Sequence, residues 1–208
     1  MRALVLAALC GCKGGKHAVK HDGGLLPADA TAIDAAIDAS VDASVLSLVI
    51  SSDGVGPITS KMNDADAFKK ALPGFAVTSE HREAEDYTFD EIAVAKDGRP
   101  ILRAVVEDAK LFKIEVKDAL LATAAGVTVG MTAGELAAKM TDLKCRYEKY
   151  DAAADAEHVD RALRCDSQSL PHILFDLDYR GFTGKVGAVT PKTIAARKIV
   201  AITWLAPE

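Results

Sequence analysis

Two histidines, two serines and several carboxylates in the last quarter of the chain are the residue types that acyl-transfer chemistry uses. His158 lies beside Glu157 and Asp160, His172 lies near Asp176 and Asp178, and Ser167 and Ser169 fall between the two groups. A serine nucleophile needs a base to take its proton, and the base needs a carboxylate to orient it. These pieces define one reading, a hydrolase using His158 or His172. Against it, the chain has no Gly-x-Ser-x-Gly elbow. Both serines sit in Asp166-Ser167-Gln168-Ser169-Leu170, which reads as a polar turn, and period-two alternation along 173–179 puts Asp176 and Asp178 on a solvent face. No catalytic residue is assigned.

Other constellations reduce to structure in the same way. Glu80, His81, Glu83, Glu85 and Asp86 could gather a divalent cation, because hard ions favour clustered carboxylates. They have neither EF-hand spacing nor a glycine to shape a loop, so the run 79–86 reads as a solvated loop. Gly54 and Gly56 suggest a phosphate-cradling turn, but without a third glycine and a following lysine they read as a chain reversal before a helix. Trp204 and Phe182 read as packing residues. Neither a metal nor a cofactor is expected.

The cysteines carry the firmest chemistry. Met1-Arg2 is a short basic start, and Ala3–Leu9 is an unbroken apolar stretch of seven residues. A bilayer core of about 30 Å takes about 20 residues to span, so this run matches a signal-peptide core instead. It leads into Leu9-Cys10-Gly11-Cys12, which resembles the lipobox of bacterial lipoproteins. The resemblance implies cleavage after Gly11 and a diacylglycerol on the thiol of Cys12. Cys10 fits less well, because Leu9 would occupy the place of a small residue. Each buried acyl methylene contributes about 0.8 kcal/mol to membrane attachment. By the sorting rule of two-membrane bacteria, Lys13 points to the outer membrane, facing the periplasm or the cell surface. Cys145 and Cys165 are then what remains of four cysteines. An even pair in an oxidising compartment predicts a disulfide, worth roughly 3 kcal/mol for a loop of about 20 residues. The rival, a zinc site, lacks any C-x-x-C pair.

These residues must be positioned by one folded unit. The chain has 208 residues, half of them apolar, which is enough for one ordinary domain or two small ones. Its 25 basic side chains against 30 acidic ones give a net charge of −5, which excludes the basic footprint of a nucleic-acid binder. Residues 13–44 lack aromatics, and Asp34, Asp38 and Asp42 recur every four residues beside Ile33, Ile37 and Val41. On a helix that would be a thin apolar stripe beside like charges, too little to offset the entropy of ordering. The segment reads as a flexible tether from Cys12 to a domain over 45–208.

Within the domain, Leu46–Ile50 reads as a strand. A helix follows with Asn63 or Asp64 as N-cap, an inward stripe of Ala65, Phe68, Ala71 and Leu72, and Pro73-Gly74 as its stop. Phe75–Thr78 returns as a strand. Phe89–Ala95, an Asp97-Gly98 turn and Ile101–Val106 make a hairpin, and Leu111–Val116 adds a third strand, alternating Leu111, Lys113 and Glu115 against Phe112, Ile114 and Val116. Thr132-Ala133-Gly134-Glu135 is a capping box that opens a second helix, with Met131 stapled onto Leu136. Strands follow at Cys145–Tyr150, Val159–Cys165, Ile173–Tyr179 and Ile199–Leu205. The order is α+β: antiparallel sheet meanders with two short helices packed on one face, and a weak internal repeat of helix plus meander.

Gly54-Val55-Gly56-Pro57-Ile58, Leu72-Pro73-Gly74, Gly126 through Gly130-Met131-Thr132, the two late cysteines and the ending Ile199-x-x-Ile202-x-Trp204 resemble the RpoE-regulated lipoprotein family of envelope proteins. The resemblance covers about residues 46–208. It implies an α+β periplasmic domain of unknown function and brings no catalytic residues; the Ala/Asp tether departs from the short one expected of that family. The Gly-Met-Thr-x-x-Glu helix entry is also similar to small outer-membrane assembly lipoproteins and to β-lactamase-inhibitor-type repeats, both of which are binding modules. The reading reached is a bacterial envelope lipoprotein, a membrane-anchored binding or structural module whose partner is another envelope protein or the cell wall. The alternative is a periplasmic hydrolase built on His158 or His172.

Overall fold

A computed structural model describes residues 48–83, 88–150 and 160–207. The leader, Cys12, the tether, His158 and the acidic pair Glu85 and Asp86 lie outside the described residues. The chain enters through β1 (Ile50–Ser51) and β2 (Gly54–Val55), which pair antiparallel. The strand expected over 46–50 therefore contributes only its last residue among those described. The backbone around it serves loops instead: Gly56 N donates to Val49 O, and Ile50 N donates to Ala122 O, each at 2.9 Å.

Helix α1 (Ala65–Ala71) starts where Asp64 accepts a hydrogen bond from Ala67 N at 2.7 Å, and it buries Phe68. Helix α2 (Ala133–Lys139) carries the expected capping box. Thr132 N donates to Glu135 Oε2 at 2.7 Å, and Glu135 N donates to Thr132 Oγ1 at 3.2 Å. Met131 is partly buried against the core, and its Sδ accepts from Thr128 N at 3.4 Å.

The remaining strands are β3 (Ala76–Glu83), β4 (Thr88–Lys96), β5 (Arg99–Glu107), β6 (Lys110–Val116), β7 (Lys144–Tyr150), β8 (Asp160–Asp166), β9 (Ile173–Leu177), β10 (Gly187–Val189) and β11 (Ile199–Leu205). They form one nine-stranded antiparallel sheet in the order β10-β7-β8-β9-β11-β6-β5-β4-β3. The architecture is mainly β, with two short helices. Both expected meanders, β3–β6 and β7–β9, are present, and the final strand β11 lies between them, pairing β9 on one side and β6 on the other. The composition of β11 explains its place. Six of its seven residues are apolar, and five are buried, including Ala201 on the face away from Trp204. A strand covered on both faces belongs in the middle of a sheet.

Three expectations are corrected, and one strand is added. The charged run 79–86 is not a loop over its described part, because β3 continues to Glu83 and pairs with β4 throughout. An edge strand satisfies its backbone on one side only, so its side chains can all stay solvated, and seven of the eight do. Next, Leu111 is buried and Phe112 exposed, against the alternation expected. Val105 pairs with Lys113 while Val106 pairs with Leu111, so Phe112 is an extra residue and the phase of β6 flips there. The strand expected to reach Tyr179 ends at Leu177, where Asp178 N turns away to donate to Lys198 O at 2.9 Å. The short edge strand β10 was not anticipated.

The core is one cluster. Trp204 on β11, Phe175 on β9, Ile114 on β6 and Tyr147 on β7 meet Phe68 of α1 and Leu136 of α2. Cys145 and Cys165, directly opposed on β7 and β8, are joined by a disulfide with Cα atoms 4.0 Å apart. The bond spans 20 residues, so its reduction is expected to lower stability by about 3 kcal/mol. Urea unfolding with and without thiol reductant measures this; superimposed curves would refute it.

Candidate functional site

The structure brings Ser167 and Ser169 together but hands them to Asp142, in the turn between α2 and β7, and not to a histidine. Ser167 Oγ donates to Asp142 Oδ1 at 2.6 Å, Ser169 N donates to Oδ2 at 2.8 Å, and the two hydroxyl oxygens lie 2.7 Å apart. No hydrogen bond links either serine to His172 among the described residues. His172 is exposed in a left-handed conformation (φ 66°), and its carbonyl accepts from Leu205 N at 2.8 Å. The cluster closes the β8–β9 connection onto the end of α2.

These donors hold the carboxyl of Asp142 at about 2, the Ser167 hydroxyl contributing most and Ser169 next. A carboxylate whose value is depressed in the folded state stabilises above its unfolded value, here 3.8, and loses that effect as pH falls through about 2. Urea midpoints measured from pH 5 to pH 2 should fall, and Asp142→Asn should flatten part of that fall. An unchanged slope in the variant would contradict the assignment. Asp178, held at about 2 by its hydrogen bond from Arg180, supplies a share that Asp142→Asn leaves in place.

The other sequence candidates resolve as follows. Glu80 and Arg82 meet at 2.9 Å along β3, while His81 Nδ1 lies 2.8 Å from Asp90 Oδ1 on β4, so Glu80 and His81 of that run are each engaged by a neighbouring side chain. Gly54 (φ 151°) and Gly56 (φ 56°) are required by close approach: a Cβ on Gly54 would lie 1.9 Å from Ile58 O, and one on Gly56 would lie 2.5 Å from Leu48 Cδ2. The amide of Val55 between them donates to Ile58 O. Chain reversal is their role. Trp204 is fully buried, and its Nε1 donates to Ser52 O at 3.0 Å. Phe182 stands edge-on to Tyr147, with ring centres 5.0 Å apart.

The feature that residue spacing alone did not disclose is the face of the sheet turned away from the core. Opposite charges alternate across its strands. Arg103 on β5 bridges Glu91 on β4 and Glu115 on β6, with N···O distances of 2.9 Å to each, and Lys117 adds 3.1 Å to Glu115. Beyond β11, Asp176 on β9 accepts from Arg164 Nε and from Thr203 Oγ1, both at 2.7 Å. Arg146 joins Glu148 at 2.6 Å and Asp166 at 3.3 Å at the far side. Partial burial of Glu115 pushes its carboxyl up, but the hydrogen bond and charge of Lys117, with Arg103, outweigh it and hold the value below the usual range. Asp176 thus lies on the outer face, as the alternation of β9 requires, with Arg164 and Thr203 bound to it.

Between these two charge networks lies a hollow of about 460 Å³, bordered by Phe112, Arg161, Arg164, Asp176, Tyr179 and Val200. A second hollow of about 390 Å³ shares Asp176, Tyr179 and Val200 with it. Phe112, Tyr179 and Val200 are 42–49% exposed, and they are three of the six exposed large hydrophobic residues among those described. Two of the three owe their position to bulges. Phe112 is the extra residue of β6, its carbonyl accepting from Ala206 N at 3.0 Å, and Val200 is the extra residue of β11, where Ile199 pairs with Leu177 and Ala201 with Asp176. A bulge re-aims one side chain without ending the strand. No periodicity count finds such residues, because a bulge is defined by the partner strand.

No model of a known protein family matches the chain, and no curated relative matches it. Among solved structures, the crystal structure of the uncharacterized protein yfeY from Escherichia coli aligns with a TM-score of 0.54, covering 76% of this chain and 99% of that one at 21% identity. The two share a fold. At that identity the likeness concerns chain path, and it spans nearly the whole of the Escherichia coli domain.

Proposed function

We propose that the chain is a lipid-anchored bacterial envelope protein that binds an envelope partner through the outer face of its sheet. The observation that carries this is the pair of bulges at Phe112 and Val200. Each turns an apolar side chain out of the core pattern and into the lining of one hollow, which Tyr179 and the charged Arg161, Arg164 and Asp176 also line. Exposed apolar groups around a few fixed polar ones are what a recognition surface presents. The lipobox-like Leu9-Cys10-Gly11-Cys12, the short motifs resembling the RpoE-regulated lipoprotein family, and the fold shared with a bacterial protein support the setting. The anchor would be Cys12, the membrane the outer one, and the mode of action binding or assembly, not catalysis. The serine hydroxyls favour this over the hydrolase alternative, since both are engaged by Asp142.

A photo-crosslinking residue at Tyr179 in the native envelope is expected to capture one discrete partner, and the same residue at exposed Lys192 none. Phe112→Ser with Val200→Ser should reduce the Tyr179 adduct about tenfold, in line with the loss of two apolar anchors. Equal labelling from both positions, or an adduct indifferent to the two substitutions, would refute the outer face as the binding surface.

A further inference from the structure

The two edges of the sheet are unlike. β10 is three residues long, whereas β3 at the other edge is eight, and no strand pairs beyond it among the described residues. A long open edge is a template for another strand, and proteins commonly blunt it with charge. The charges of β3 are arranged in a particular way. Glu80 and Arg82 share the outer face on either side of His81, and Arg82 lies 2.9 Å from Glu80 and 4.0 Å from Glu91.

We propose that β3 pairs with β3 of a second copy, antiparallel about a two-fold axis through His81. The axis is perpendicular to the sheet, so both outer faces stay on one side and pairing joins residues of equal parity. In this register Glu80 faces Arg82 of the second copy, Arg82 faces its Glu80, and Ser79 faces its Glu83. Neighbouring registers of the same symmetry are opposed: a centre at Glu80 sets Glu80 on Glu80, and a centre at Arg82 sets Arg82 on Arg82. A centre at Ser79 leaves both charges without an opposite partner. Opposite charges on directly facing positions of an antiparallel pair stabilise it, and like charges oppose it. The strand is thus self-complementary in one register. A ladder over 79–83 alone is smaller than a stable interface of about 1,000 Å², so the association is weak and rises with local concentration. It uses the edge of the sheet, and it stands independently of the binding proposed for the outer face.

The test is oxidative crosslinking of the full chain in its native membrane with copper phenanthroline, read as a dimer band on a non-reducing gel. His81→Cys should give that band, and the chain without it should not. Adding Glu80→Arg or Arg82→Glu alone to His81→Cys should lower the dimer fraction about tenfold, and adding both should restore it to within about twofold. All three positions are exposed, so the domain keeps its fold. Absence of a dimer with His81→Cys, an equal band from Ser79→Cys, or indifference to the single charge reversals would each overturn the proposal. Loss of the Tyr179 adduct with the dimer intact would count against the outer-face reading alone.

Discussion

Replacing Trp204 with alanine is expected to lower the unfolding free energy by about 3–5 kcal/mol. The side chain is fully buried, and its cross-strand neighbours are Ile114 on β6 and Ile173 on β9. The indole also holds the N-terminal turn, because its Nε1 donates to Ser52 O across 152 residues of chain. Alanine would remove apolar volume where the core cannot collapse without shifting the strand that joins both meanders, and it would leave the partly buried carbonyl of Ser52 short of its donor. Trp204→Phe separates the two effects, retaining most of the volume and losing only the hydrogen bond, at about 1–3 kcal/mol. Because β11 belongs to both halves of the sheet, unfolding should remain a single transition. Denaturant titrations followed by far-ultraviolet circular dichroism measure both quantities; a loss under 1 kcal/mol for Trp204→Ala would show that β11 does not bind the halves together.

The second large effect is expected at Cys12. Cys12→Ser should move the protein from the membrane pellet to the soluble fraction. A single acyl chain holds a protein only marginally, while two or more hold it firmly at about 0.8 kcal/mol per buried methylene, so under the proposed lipidation removing this sulfur should abolish attachment instead of weakening it. The described residues contain no helix long and apolar enough to cross a membrane. Fractionation at low and high salt distinguishes lipid anchoring from electrostatic adsorption, which salt would reverse. A pelleted fraction unchanged by Cys12→Ser, or an intact mass showing an unprocessed and unacylated start, would refute the anchor.

Local signals served well wherever the chemistry was local. Asp64 and the Thr132–Glu135 box mark helix starts because their side chains bond amides three residues away, and Asp97-Gly98 marks a turn because both residues adopt positive φ, 51° and 77°. The same logic missed the turn at Asp108 and Ala109, where the flanking strands impose φ of 48° and 57° on a residue with a Cβ. It also failed along 79–83, since hydrophilicity cannot distinguish a loop from an edge strand whose side chains are all solvated.

The hydrolase pieces were legible as residues and misleading as a site. Ser167, Ser169 and Asp176 each found a partner outside the sequence window in which they were read: Asp142 lies 25 residues before Ser167, and Thr203 lies 27 after Asp176. The outer face was missed for the complementary reason. Arg103, Glu91 and Glu115 are unremarkable within their own strands and become a network only when β4, β5 and β6 are laid in register.

Composition and spacing along the chain determined the charge balance, the helix caps and most of the strands, because these depend on residues within a turn or two of one another. Tertiary structure alone decided that β11 closes the gap between two meanders, that Phe112 and Val200 face outward, and that the serines belong to Asp142. Each of those depends on which strand lies alongside, and hydrogen-bond register between distant segments is set by the packing of the whole sheet against one core.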